Sequence, residues 1–138
     1  MHDLSDIPNG ALIITRYQPT IAAGSDAEVA VFTAIGRGYK ILSAGFVPDA
    51  VLTGSDTTNR SIGLVNKGTG GAGTTAVKAV KAYNTGINAA AFKYEELVTA
   101  ADAKTVAAGE TISFAFTHGS TGLAMPVALL VMVVWPLT

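Results

Sequence analysis

The chain has 138 residues and a formal net charge of -1 at pH 7, with 49% hydrophobic and only 14% charged residues. This length fits a single domain, and the near-neutral charge argues against nucleic acid or an anionic membrane as a partner. The absence of cysteine excludes a disulfide framework and a thiolate metal site. An average soluble domain is roughly 25% charged, so this composition predicts a surface partly covered by other molecules.

The first ten residues are polar and predict an extended N-terminal arm, followed by one β-sandwich domain over residues 11–138. Acidic residues stand where a signal peptide has basic ones. The longest apolar run is about a dozen residues, and a membrane helix needs roughly 20. We therefore expect no secretion signal, no membrane partner and synthesis in a cytoplasm.

Short β-rich segments separated by turn residues every ten or so positions predict an all-β fold of the sandwich or barrel class. In the first half of the chain the predicted strands are residues 11–17, 27–35, 39–47 and 60–66. Alternation in the last of these places Ile62 and Leu64 inward.

The middle of the chain is ambiguous. Residues 75–83 fit a strand but also form a helical apolar stripe, and we favour the strand. Residues 88–97 fit either structure, and the sequence leaves that choice open. Residues 99–102 resemble a capping box and predict one short helical turn. Strict alternation then returns in residues 111–117, which predict a strand whose inward side chains are Ile112, Phe114 and Phe116.

The closing segment, residues 123–135, has apolar side chains on both faces of the predicted strand. Such a strand is central in a packed sheet, or is buried once by its own domain and once by a neighbour. Pro126 cannot donate to a strand ladder, so either regular pairing begins at residue 127 or beyond, or the start of the strand lies at an edge. The second face changes from small to large side chains along the strand, and we assign its large members to a subunit interface: Leu130, Met132 and Val134.

No residue pattern indicates catalysis. A metal site usually needs three convergent ligands, and the only imidazoles, His2 and His118, are far apart in sequence. Glu95 and Glu96 are adjacent, so on a strand they point to opposite faces and cannot act as a pair. The glycine-rich stretch after Lys67 lacks the Gly-Lys-Ser/Thr ending of a phosphate loop. We therefore expect no enzyme, no metal and no cofactor.

Five segments occur in an order that suggests a family: residues 41–48, 64–68, 83–86, 106–110 and 122–126. Their succession, over about residues 20–136, resembles that of the head decoration (capsid cement) proteins of tailed bacteriophages, of the small jelly-roll type. The resemblance implies a jelly-roll-like β-sandwich that forms a non-enzymatic homotrimer on the capsid exterior of the virion. There it would bridge neighbouring major capsid proteins and resist the pressure of the packaged DNA.

The arm and the residues just after it are the candidate contacts with the shell or with a neighbouring subunit: His2, Asp3, Leu4, Asp6, Ile7, Arg16 and Tyr17. An alternative function is a ligand- or glycan-binding β-sandwich module of a phage fibre or adhesin. That alternative requires exposed aromatic platforms, whereas most aromatic residues of this chain are predicted to point inward.

Overall fold

The computed structural model describes residues 10–102 and 104–137. Within these ranges the chain forms twelve β-strands and one short 3-10 turn. The elements are β1 (Leu12–Gln18), β2 (Ala27–Thr33), β3 (Tyr39–Pro48), β4 (Leu52–Thr53), β5 (Thr58–Asn66), β6 (Thr75–Ala76), β7 (Lys81–Tyr83), β8 (Asn88–Ala89), β9 (Glu95–Val98), the 3-10 turn (Ala100–Asp102), β10 (Thr105–Val106), β11 (Thr111–Ser120) and β12 (Ala128–Pro136).

Ten of these strands form two antiparallel sheets packed against each other, which confirms the predicted all-β sandwich. In sheet I the order is β1-β12-β3, and β9 and β10 both pair with the remaining edge of β3. In sheet II the order is β2-β11-β5, and β6 and β7 both pair with the remaining edge of β5. Strands β4 and β8 form a separate pair.

The core lies between the two sheets and is filled by the inward side chains of their central strands. Sheet II contributes Ile112, Phe114 and Phe116, as the strict alternation of that segment predicts. Sheet I contributes Phe46 from β3 and the inward side chains of β12. Fully burying each large apolar side chain stabilises the fold by roughly 1.5–3 kcal/mol, so these strands hold the sandwich together.

Residues 75–83, for which we favour a strand over a helix, form two short strands joined by a bend. These strands are β6 and β7, which pair with β5 in the registers Ala76↔Val65 and Tyr83↔Arg60. Strand pairing along β5 therefore overrides the helical stripe. The predicted helical turn is confirmed, because the N–H of Thr99 donates to the carboxylate of Asp102 at 2.8 Å, as in a capping box.

The predicted arm covers residues 1–10, and of these only Gly10 is among the described residues. The boundary between arm and domain therefore stays a prediction.

Candidate interaction surface

Strand β12 has one face in the core and the other on an apolar part of the outer surface. Leu130, Met132 and Val134 are fully buried inside the domain. The prediction that these three side chains form a subunit interface is therefore wrong. Period-two alternation separates the two faces of the strand correctly, but both faces are apolar, and the pattern does not tell which one meets the opposite sheet.

The outward side chains of β12 and β1 form a continuous surface, because cross-strand partners lie on the same side of a sheet. Register places Ile13 beside Val133, and Tyr17 beside Leu129. We call this surface the apolar face, and its members are Ile13, Thr15, Tyr17, Leu129, Val131 and Val133 from the β1–β12 register, together with Trp135, which pairs with Lys40 of β3. None of these seven positions carries a charge.

Four large side chains of the apolar face are open to solvent in the single chain, whereas Val131 is half-buried and Val133 is buried. Ile13 is 58% exposed, Tyr17 64%, Leu129 42% and Trp135 40%. Isolated exposed apolar residues are ordinary on protein surfaces, but a contiguous set of this size marks a site of interaction. This face is the feature of the described chain that most requires a partner.

Strand β3 lies beside β12, and the residues on and over its outer side form a polar border to the apolar face. Gly45 is paired with Val131, and a side chain at Gly45 would meet the Tyr94 ring, which lies across this position. The Tyr94 hydroxyl is 2.7 Å from the Ser43 hydroxyl, which also donates to the Glu96 carboxylate. Burial raises the pKa of Tyr94 to about 12, and this phenol, Ser43 and the Glu96 carboxylate make the border polar.

A shallow groove of about 240 Å³ adjoins the Tyr17 end of the apolar face. Its lining is apolar apart from Asp49: Tyr17, Val47, Pro48, Phe92, Val127, Ala128 and Leu129. A pocket of this size and composition accepts an apolar side chain, and it offers few hydrogen-bonding groups to a polar ligand. The groove extends the apolar face toward the loop before β9.

Phe92, at the rim of the groove, is strained and exposed. Its φ is +57°, in the left-handed region that bulky side chains rarely adopt, and 79% of the residue is exposed. Its backbone N–H donates to the Pro48 carbonyl at 2.7 Å, which fixes this conformation. A strained residue whose ring packs so little within its own chain indicates a role outside it.

Of the predicted contact residues, the structure places Tyr17 on the apolar face. Arg16 is on the other side of β1, where its guanidinium donates to the Ala30 carbonyl of β2 at the side of the sandwich. The structure therefore does not bring these two side chains together. The other predicted contacts, His2, Asp3, Leu4, Asp6 and Ile7, lie outside the described residues.

His118 and Asp26 form a histidine–carboxylate pair, an arrangement that orients the general base in some enzymes. The His118 ring Nδ1 is 2.6 Å from the Asp26 carboxylate, and the His118 backbone N–H donates to the same oxygen at 2.8 Å. These two hydrogen bonds, the backbone one first, lower the pKa of Asp26. Among the described residues, no hydroxyl is hydrogen-bonded to Nε2 of His118, so no nucleophile is positioned for this histidine to activate. The pair connects β11 to the residue before β2.

Arg60 is a buried residue that sequence reasoning missed. Its Nε donates to the Leu123 carbonyl at 2.6 Å, and its Nη2 donates to the carbonyls of Ala22 and Ser25 at 3.0 and 3.1 Å. It thereby joins the loop before β12 to the loop before β2. The sequence contains a sign of this burial, because Arg60 is two positions before the inward residue Ile62 and so lies on the same face of β5.

The side chains of Glu95 and Glu96 point to opposite faces of β9, as the sequence predicts. Glu95 accepts from Tyr83 at 3.0 Å and from Lys81, whereas Glu96 accepts from Ser43 on the outer side of sheet I.

Across the described ranges no three His, Cys, Asp or Glu side chains form a group able to hold a metal ion. No helix in the part of the chain seen here is long and apolar enough to cross a membrane.

Comparisons with protein-family models, curated proteins and solved structures find no match. Any functional assignment therefore rests on the fold and on the apolar face.

Proposed function

We propose that this chain is a structural protein that decorates the outside of a phage capsid and stabilises it by bridging major capsid proteins. The observation that carries the proposal is the apolar face, the uncharged outer face of two paired strands in a sandwich with little charge overall. A surface of this kind is suited to permanent docking rather than to turnover of a substrate.

The order of the strands supports a jelly roll as the finer description of the sandwich. In chain order the strands pass from β1 in sheet I to β2 in sheet II, and back to β3 in sheet I. The final pair repeats this passage, with β11 central in sheet II and β12 central in sheet I. Such alternation between two antiparallel sheets is how jelly rolls are built, and it is the fold type that the resemblance implies.

The mechanism is mechanical, with no chemical step. The exposed parts of the apolar face and of Phe92 amount to roughly 450 Å², taking 150–250 Å² for each aromatic side chain. Burying that area yields on the order of 10 kcal/mol, which is comparable to the ~4–15 kcal/mol cost of association. One contact of this size is therefore marginal alone, and stable decoration requires several contacts per particle. A trimer provides them.

Binding to shells tests the proposal directly. Purified protein is mixed with expanded, DNA-free shells assembled from the major capsid protein of the phage that encodes the chain, and the shells are pelleted. We expect saturable co-sedimentation and a higher rupture temperature of the decorated shells. Protein that stays in the supernatant at concentrations well above that of the shell subunits would overturn the proposal.

Deletion of residues 1–10 tests the predicted role of the arm in the same assay. We expect weaker binding to shells with an unchanged circular dichroism spectrum, because the deleted residues precede β1. If the truncated chain decorates shells as tightly as the full chain, the arm has no part in docking.

One observation favours the glycan-binding alternative. Tyr17 and Phe92 expose aromatic rings beside a groove that also carries the Asp49 carboxylate, and sugars stack on such rings while their hydroxyls donate to carboxylates. The scarcity of other polar groups in the groove argues against it. A glycan array decides between the two, since binding that Tyr17→Ala abolishes would favour the alternative.

A further inference from the structure

We propose that the groove between Tyr17 and Phe92 is a binding site for an arginine side chain of a protein partner. The inference rests on the proposed function, because the groove adjoins the apolar face and would receive this arginine from the docked shell protein. It nevertheless has a test of its own, since a small arginine derivative fills the groove without any shell.

The floor of the groove is an apolar row that runs across sheet I. Tyr17 of β1 is paired with Leu129 of β12, and Leu129 is in turn paired with Val47 of β3. These three side chains therefore lie side by side on the outer face of the sheet. Basic side chains lay their methylene stems along apolar surface and keep the charged group in water. A shallow apolar groove suits such a side chain, because it holds the stem and leaves the charged group at the rim.

Two aromatic residues at the groove are largely exposed. Tyr17 is 64% exposed and Phe92 is 79% exposed, so much of each side chain is available to a ligand. The guanidinium group of arginine is planar and weakly hydrated, and it stacks on the faces of aromatic rings. A pair of exposed rings beside an apolar floor therefore matches both parts of an arginine side chain.

The charge of the groove has the sign that this ligand requires. Among the described residues that line the groove, Asp49 alone is charged. Lys93, which follows Phe92 in the chain, does not belong to the lining. A carboxylate accepts two parallel hydrogen bonds from a guanidinium group, and this pairing fixes the orientation of the ligand. The lining thus favours a cationic partner group over a neutral or anionic one.

Backbone hydrogen bonds hold the groove in shape before a ligand binds. The N–H of Asp49 donates to the Val127 carbonyl at 2.8 Å, and the N–H of Phe92 donates to the Pro48 carbonyl at 2.7 Å. All four residues line the groove. The second hydrogen bond also maintains the left-handed backbone of Phe92, and with it the exposed ring. A site that is fixed in advance loses less conformational freedom on binding, which gives the strain at Phe92 a purpose.

Arginine fits the groove better than other ligands that use related chemistry. Lysine carries a compact, strongly hydrated charge and has no planar group to stack on the rings. A choline headgroup has no N–H with which to donate to Asp49. A sugar needs more hydrogen-bonding groups than the lining supplies.

The test is a titration of the full chain with Nα-acetyl-arginine methylamide, followed by the backbone amide signals in NMR spectra. We expect saturable shifts of the Asp49 and Phe92 signals, with a Kd of about 1 mM or weaker for this single side chain. The citrulline derivative has nearly the same shape without the charge, and it should bind at least about threefold more weakly. The lysine derivative and phosphocholine should also bind more weakly than the arginine derivative.

Variants of the protein assign the binding to the groove. Asp49→Asn removes the carboxylate, and Phe92→Asn removes one ring while keeping a residue that tolerates the left-handed backbone. Each should weaken binding of the arginine derivative at least about threefold. Asp56→Asn is the matched control, because Asp56 is exposed in another loop and asparagine retains the oxygen that accepts from Thr85. Tyr17→Leu tests the other ring should Phe92→Asn misfold.

Three results would overturn the inference: no saturable shift at the groove, equal binding of any of the three comparison ligands, or an equal loss in Asp56→Asn. None of them bears on decoration by the wild type, which the shell assay measures separately. Conversely, a chain that binds the arginine derivative in the groove but ignores shells would retain this site and remove the proposed function.

Discussion

Leu129 and Leu130 are neighbours in sequence but occupy opposite sides of sheet I. Leu130 is completely buried in the core, while 42% of Leu129 is exposed on the apolar face. One strand thus supplies both the interior of the domain and the surface that we assign to docking. The same substitution at the two positions separates folding from association.

Leu130→Lys is expected to prevent folding. An unpaired ammonium in the core costs several kcal/mol in addition to the lost burial of leucine, which approaches the 5–15 kcal/mol stability of an ordinary domain. Leu129→Lys is expected to lower the free energy of unfolding by less than about 1 kcal/mol, because the exposed side chain keeps its ammonium in water. Circular dichroism with thermal melting measures both. A cooperative Leu130→Lys melt close to that of the wild type would contradict this placement of the core.

The sequence predicts those features of the structure that depend on neighbouring residues, and it does not predict those that depend on contacts between distant parts of the chain. Alternation correctly predicts the inward residues of β11 and the two faces of β12, since these are local patterns. Which face of β12 meets the core depends on the opposite sheet, and two apolar faces carry no local signal for it. The strain at Phe92 likewise depends on the Pro48 carbonyl, 44 positions earlier in the chain, and no local pattern marks it.

Arg60→Met is expected to destabilise the fold by about 1–3 kcal/mol. The substitution retains an apolar stem but removes the charged donor to the carbonyls of Leu123 and Ser25, and a hydrogen bond to a charged group contributes ~1.5–3 kcal/mol, whereas the Ala22 carbonyl still accepts from the Ser25 N–H. Arg37→Met, at an exposed turn, is the control and should change stability by less than about 0.5 kcal/mol. Denaturant unfolding provides both values, and equal effects of the two variants would refute the structural role of Arg60.

Gly122→Ala is expected to be considerably more destabilising than Gly86→Ala. Both glycines have a positive φ, +81° and +82°, so alanine at either position incurs the same backbone strain of about 1–2 kcal/mol. Only at Gly122 would the new Cβ overlap the carbonyl oxygen of Ala23, whereas space at Gly86 is open. We expect the difference in unfolding free energy to exceed about 1 kcal/mol. Equal losses would mean that the Gly122 turn relaxes freely.

Stability is expected to fall in acid. Hydrogen bonds from Asn66 and then from the Ala107 N–H lower the pKa of Glu110 below its ordinary 4.5. A carboxyl whose pKa is lower in the folded state stabilises the fold above its ordinary pKa, and this contribution is lost as the pH falls below about 4.5. The midpoint of denaturant unfolding at pH 7 and at pH 3 measures the loss.

The Glu110→Gln variant assigns that loss to its source. Glutamine cannot be ionised, so the variant should be less stable than the wild type at pH 7, and the gap should narrow at pH 3. A gap that is the same at both pH values would show that the ionised form of Glu110 contributes nothing.

The central claim is that the apolar face is buried in the functional assembly. Because the chain contains no cysteine, a single Thr15→Cys variant places one thiol in the middle of this face, and Thr117→Cys places one on an exposed position of β11 in the other sheet. The most direct measurement is the rate of thiol labelling in dilute protein and again in the assembled or shell-bound state. The account predicts at least a tenfold slower reaction at Thr15→Cys on assembly and little change at Thr117→Cys. Undiminished labelling of Thr15→Cys in the assembled state would contradict it.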